Sequence, residues 1–216
     1  MNPKDSHLNI SRRDSLKHLT MAGAALSLPF GAFSATTESP AIPPQLQPFY
    51  LPPMPPLQPG PGGIDIRTWV RSSKTNKQFS CVETAVAPKQ MGPAPHVHAE
   101  LDELMYVLEG TATVWIDGKT EEIKAGGWHL RPRKIGHTFW NGSDQPLRFI
   151  DMYFNQNFED FLEELFHQFI PEMMKQHLTP ADPIFAKKLA SLEARFGITS
   201  FPEKRQPLIE KYGLKP

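Results

Sequence analysis

The stretch Gly92–Gly110, GPAPHVHAELDELMYVLEG, decides how the rest of the chain is read. It sets His96 and His98 two residues apart, followed by an acid at Glu103 and a glycine at Gly110. Side chains two apart on a β-strand leave the same face, so the two imidazoles converge if this segment is extended. Two imidazoles and a carboxylate make a mixed nitrogen/oxygen donor set that suits divalent transition metals. A His-x-His pair by itself is a weak signal, and the case strengthens in a second stretch some thirty residues later. That stretch is Gly126–Asn141, GGWHLRPRKIGHTFWN, which offers Pro132, His137 and Asn141.

The spacing His96-x-His98-x4-Glu103-x6-Gly110 has the form of the first cupin motif, and Gly126-x5-Pro132 followed by His137-x3-Asn141 has the form of the second. Thr111–Ala125 separates them, as in a compact single cupin. The two stretches resemble the cupin superfamily, and the resemblance covers about 65 to 155. It departs at Gly92, which stands four residues before His96 rather than six, and at Lys134, which fills a slot where glycine is common. The turn before His137 is therefore expected to differ in shape. The resemblance implies an all-β core, a jelly-roll barrel, with His96, His98, Glu103 and His137 as metal ligands. It also implies one divalent transition metal, which the sequence leaves open among Mn, Fe, Ni, Co, Cu and Zn.

Ahead of this domain, Ser11-Arg12-Arg13-Asp14-Ser15-Leu16-Lys17 resembles the twin-arginine export signal. A moderately apolar run to Phe33 and small residues at Ala32, Ser34 and Ala35 follow, so residues 1–35 are expected to be a cleaved signal peptide. The run is short for a membrane span and is interrupted by Pro29. No cysteine lies near the cleavage point to take a lipid. The expectation is a periplasmic or secreted protein, delivered by the twin-arginine export machinery, with no stable membrane anchor after cleavage. Residues 36–63 are rich in proline, which lacks an amide donor and fixes its backbone torsion, so this part is expected to be an extended arm. Phe49 and Tyr50 suggest that the middle of the arm, near Gln47–Leu51, is docked. Charge is balanced, with 23 basic and 23 acidic residues, which argues against a nucleic-acid partner. The single cysteine, Cys81, excludes an intramolecular disulfide.

From Ile64 the chain reads as short strands rich in β-branched and aromatic residues: IDIRTWV, QFSCVETAV, LDELMYVLEG, TATVWIDG, KTEEIKA, GWHLRP, HTFWN and LRFIDMYF. Asp117-Gly118 predicts a tight hairpin. Alternation places Met105 and Val107 on the face of Glu103, and Phe139 and Asn141 on that of His137. Trp128 and Leu130 are expected to share one face of their strand, with His129 on the other. Met105, Val107, Trp128, Leu130 and Phe139 are thus the predicted lining of a substrate pocket around the metal.

After Asn155 the period becomes helical, with apolar residues from Phe158 to Ile170 at three- and four-residue spacing. Asn157 is the expected cap of that helix. A second helix is predicted from Pro183 to Phe196 after Asp182, stopped by Gly197, and a third from Pro202 to Tyr212. Residues 156–216 are expected to form a helical C-terminal extension that packs on the outside of the barrel or in a dimer contact rather than closing its mouth. The barrel itself is placed at 64–155.

The four-ligand set is similar to that of cupin quercetinases, germins and oxalate-degrading enzymes. The resemblance implies a quercetinase-like, metal-dependent dioxygenase acting on a small phenolic or enolic substrate, with Glu103 also acting as a catalytic base. Two other readings stay open: a non-oxidative metal-dependent isomerase or decarboxylase, and a non-catalytic binding protein for metal or a small molecule. A homodimer is expected, because an uncovered edge strand needs a partner.

Overall fold

The structure, a computed structural model, describes residues 45–179 and 182–216. The expected signal peptide with Arg12 and Arg13, and the first part of the arm, lie outside the described residues. The strands are β1 (Ile64–Val70), β2 (Phe79–Val86), β3 (His96–His98), β4 (Asp102–Glu109), β5 (Thr111–Ile116), β6 (Lys119–Lys124), β7 (Trp128–Arg131), β8 (His137–Trp140), β9 (Leu147–Phe154) and β10 (Ile198–Ser200). They form two five-stranded antiparallel sheets, ordered β1-β2-β9-β4-β7 and β10-β3-β8-β5-β6. This is the expected jelly-roll sandwich, followed by helices. The β5–β6 hairpin turns on Asp117 and Gly118, with φ of 47° and 80°, and pairs Ile116 with Lys119. Two left-handed residues match the twist of the flanking strands, which is why Asp-Gly is legible as a turn.

The inward faces build the core. Met105 and Val107 of β4 pack with Val86, Ala112, Val114, Ile123, Leu147 and Phe149. A second cluster unites Ile66, Val82, Leu101 and Tyr153 with Phe158, Phe161, Leu162 and Leu192 of the extension. The extension comprises α1 (Phe158–Glu164), a π-helical turn over Leu165–Phe169, α2 (Ile170–Lys175), α3 (Pro183–Arg195) and α4 (Arg205–Tyr212). The predicted first helix is therefore not continuous: Pro171 has no N–H to give to the carbonyl four residues back, and the turn before it widens. Asn157 does not cap α1; its side chain donates to Asp160 Oδ2 at 2.6 Å. Asp182 precedes α3, but its carboxylate accepts from Thr179 N and Oγ1 instead of from the helix.

The expectation of helices lying only on the outside holds for α4, where Ile209 packs on Met91 and Trp140. It fails for α1, whose Phe158 and Phe161 join Ile66, Val82, Leu101 and Tyr153 in one buried cluster. β10, unseen in the sequence, pairs with the edge of β3, setting Ser200 against His96 and Ile198 against His98. The extension thus covers the strand that carries two of the candidate ligands.

The arm corrects another expectation. Phe49 and Tyr50 are 53% and 80% exposed, and Gln47–Leu51 is not docked. The anchorage is polar and lies nearer the barrel. Arg67 Nη1 donates to Pro55 O at 2.9 Å, and Leu57 N approaches Glu83 Oε1 at 3.4 Å. Glu83 also accepts from Trp69 Nε1 at 2.8 Å and Arg148 Nη1 at 2.9 Å. Burial opposes its ionisation, but these donors win and hold its carboxyl below the usual range.

Candidate metal centre

Strand register assembles the site. His96 and His137 face each other across β3 and β8, and His98 follows two residues along β3 on the same inward face. Glu103 enters from β4 in the opposite sheet. All four side chains are buried, and one donor atom from each lies within 4.8 Å of the others. His98 Nε2 is 3.1 Å from Glu103 Oε1, His137 Nε2 is 3.3 Å from Glu103 Oε2, and His96 Nε2 is 3.2 Å from His98 Nε2.

The backbone sets two of the tautomers. His96 Nδ1 lies 2.8 Å from Ala94 O, and His137 Nδ1 lies 3.0 Å from Ile135 O. A carbonyl only accepts, so each Nδ1 carries the proton and each Nε2 turns a lone pair inward. His137 Nε2 is buried, has no hydrogen-bond partner and faces a carboxylate oxygen. Lone pairs and a carboxylate converging in this way repel one another unless a cation sits among them. Donors about 2.1 Å from one ion lie at most about 4.2 Å apart, so only a few tenths of an ångström of movement is needed. The residues fit a single divalent metal.

Lys134 resolves the departure noted in the second motif. It adopts φ of 65°, the left-handed conformation that a glycine takes freely, and its N–H donates to His98 O at 2.8 Å. The hydrogen bond ties the two motifs together, and the left-handed torsion strains a residue with a Cβ. Lys134→Gly is expected to stabilise the protein by about 1 kcal/mol, read from urea unfolding.

Burial, then the neighbouring imidazoles of His137 and His98, push His96 down to about 3. Its folded value lies below the unfolded value near 6.5. As pH falls from about 6.5 toward 3, the unfolded chain takes up a proton that the folded chain refuses, and stability is lost. Glu103 acts in the same direction. Burial opposes its ionisation, but the buried guanidinium of Arg131 outweighs that and holds it well below the ordinary carboxylate range. The melting temperature of the metal-free protein is expected to fall steadily between pH 7.5 and pH 4.5, by roughly 1 kcal/mol of stability per pH unit from His96 at the steepest part. A flat profile would contradict the neutral, buried His96.

The predicted pocket lining divides. Met105 and Val107 are fully buried beside Glu103 on β4, and Phe139 is half-buried against Phe149. Trp128 and Leu130 are 55% and 54% exposed, with Trp128 tilted against the Tyr106 ring, so they point away from the candidate metal centre. β7 presents its other face, His129 and Arg131, to the interior. The facing error has a physical origin: the inward slot is filled by a charge with buried partners, and the apolar residues were left for the surface. Asn141 is buried but structural, donating from Nδ2 to Ala87 O at 3.0 Å and Gln145 O at 2.7 Å. Cys81 is half-buried, and burial pushes its thiol up to about 11, so it is an inert group.

Sequence reasoning missed Arg131, Asp151 and Tyr153. Glu103 is in register with Arg131 on one side and Tyr153 on the other, across β7, β4 and β9. Arg131 Nε lies 3.1 Å from Glu103 Oε2, and Arg131 Nη2 donates to Asp151 Oδ1. Tyr153 OH donates to Asp151 Oδ2 at 3.3 Å. Burial disfavours the Arg131 charge, but Asp151 and Glu103 more than restore it and hold the guanidinium protonated. A signal existed in LRFIDMYF, where Asp151 shares the alternating face of Leu147, Phe149 and Tyr153. An acid at the centre of an apolar face needs a buried partner.

Residues 82–153, about a third of the chain, match the Cupin domain family. This stretch, which carries all four candidate donors, is similar to the cupin domain family. A curated relative, an uncharacterized protein of Aquifex aeolicus (strain VF5), is 34% identical over 50 residues, which make up 23% of this chain and 41% of the relative. The matched part thus spans about two fifths of that relative's length. Among solved structures, KdgF from Halomonas sp. is 18% identical with a TM-score of 0.41, covering 45% of this chain and 84% of that one. The polyketide cyclase RemF from Streptomyces resistomycificus is 29% identical with a TM-score of 0.39, covering 46% and 70%. The oxalate decarboxylase formate complex of Lactobacillus farciminis is 23% identical with a TM-score of 0.38, covering 43% and 29%. Among the described residues no helix is long and apolar enough to cross a membrane.

Proposed function

We propose that the cupin domain is a metal-dependent dioxygenase of the quercetinase-like type, acting on a small phenolic or enolic substrate. The observation that carries this reading is the convergence of three imidazoles and one ionised carboxylate on one buried point. Such a set would offer a divalent transition metal four donors from the protein. His96, His98 and His137 would hold the metal through Nε2, and Glu103 through a carboxylate oxygen. When bound, the metal supplies the Lewis-acid and one-electron chemistry by which an enolate or phenolate reacts with dioxygen. Arg131 keeps Glu103 ionised, so it remains a proton acceptor for an acidic substrate hydroxyl. Phe158, edge-on to His98 with ring centroids 5.1 Å apart, keeps bulk water away from that imidazole. The test is oxygen uptake by metal-loaded protein given a flavonol or an enediol. Uptake that disappears in Glu103→Gln supports the proposal, and no uptake with any such substrate sinks it.

The near-complete enclosure of the four donors favours a second reading, a protein that holds metal or a small ligand without turning it over. Stabilisation by ligand with no product formed would select it. Turnover that persists without oxygen would select a non-oxidative isomerase or decarboxylase instead. The twin-arginine motif supports export, which Arg12→Lys with Arg13→Lys should block, leaving precursor in the cytoplasm. A homodimer is proposed as well, checked by light scattering.

A further inference from the structure

Glu103 is shared. Its Oε1 faces His98 and its Oε2 faces His137, but Oε2 also lies 3.1 Å from Arg131 Nε. Arg131 is itself held from behind by Asp151, which accepts from Nη2 and from Tyr153 OH, and its guanidinium lies 5.7 Å from the centre of the Phe139 ring. Arg131, Asp151 and Glu103 are all buried, so none of these charges is screened by solvent. Any cation that Glu103 binds therefore shares one carboxylate with a fixed guanidinium. Two cations on one carboxylate repel each other, and in a poorly screened interior that repulsion is large.

We propose that Arg131 is a positioning residue that serves as an internal counter-cation: it holds the Glu103 carboxylate in place and lowers the affinity of the centre for divalent metal. This rests on the metal-binding reading above and deepens it. Arg131 contributes more when Glu103 has no other cation than when it has one. Removing Arg131 should then cost the metal-free protein more than the metal-bound protein, and the metal should bind tighter. A residue that only braced the fold would do the reverse, because loosened ligands bind metal more weakly.

Removing Arg131 alone strands Asp151 as an unpaired buried charge, so the primary variant is Arg131→Met with Asp151→Asn, which removes both charges together. Affinity for Ni2+ and for Zn2+ is measured by chelator competition on the full chain, with circular dichroism and melting as checks on folding. The expected result is binding at least tenfold tighter in the paired variant than in the unaltered protein. Arg131→Lys, which keeps the charge, should lie within about threefold of the unaltered protein. Equal or weaker binding in a folded paired variant overturns the proposal and leaves metal binding itself intact. If the paired variant fails to fold, Arg131→Lys decides: a tenfold change in its affinity overturns the counter-cation role, and near-unaltered affinity with a lowered melting temperature supports it. Binding by the variant alone also supports the proposal. If neither protein binds either ion, the metal-binding reading fails and the proposal with it.

Discussion

Replacing His137 with alanine is expected to empty the metal centre. His137 is the candidate ligand from β8, its Nδ1 is fixed by Ile135 O, and its Nε2 stands buried against Glu103 with no other partner. Losing even a group that merely orients a ligand typically costs about 10–100-fold in metal affinity, and losing the ligand itself should cost at least about 100-fold. Elemental analysis should find about one equivalent of a transition metal in the unaltered protein and under about a tenth of that in His137→Ala, in line with that loss of affinity. The remaining donors, His96, His98 and Glu103, stay on strands that do not depend on the His137 side chain, so the fold should persist. Equal metal in both proteins would place the metal elsewhere.

Phe158→Ala should produce the largest loss of stability. Phe158 is buried, stacks on Phe161 with ring centroids 4.8 Å apart, meets Tyr153 at 4.9 Å, and lies edge-on to His98. Truncating a buried phenylalanine costs about 3–5 kcal/mol, because the surrounding sheet edges and α1 cannot collapse into the space. Urea unfolding measures that loss. The same change opens a path from solvent to His98, so metal release to a chelator should speed up by at least about tenfold, since a low-stability covering element opens more often. A loss below about 1 kcal/mol would mean that α1 contributes little to closing this end of the barrel.

The two predictions divide between what the sequence made legible and what it hid. His137 could be read because its place after Pro132 and before Asn141 resembles the second cupin motif. Glu103 could be read from its resemblance to the first cupin motif, and alternation along β4 then placed Met105 and Val107 on its face. Lys134 could be seen as a departure but not interpreted, since nothing in the sequence says that a lysine will accept a left-handed backbone. Phe158 was legible as part of an apolar stripe, yet a stripe states only that a face is buried. What it is buried against depends on the partner surface.

The sequence by itself determined the run of strands from β1 to β9 and the Asp117-Gly118 hairpin, and its resemblance to the cupin motifs singled out the four donors His96, His98, Glu103 and His137. These follow from local rules: alternation on a strand, the left-handed torsions of a tight turn, and fixed spacing between ligands. The tertiary structure decided which face of β7 turns inward, and so whether Arg131 or Leu130 meets the metal centre. It also joined Asp151 to Arg131 across two strands, laid β10 along the edge of β3, and seated Phe158 against His98. Each is a contact between residues 20 to about 100 positions apart. Such contacts are selected by the balance of buried charge and packed volume over the whole barrel, which no local window of sequence contains.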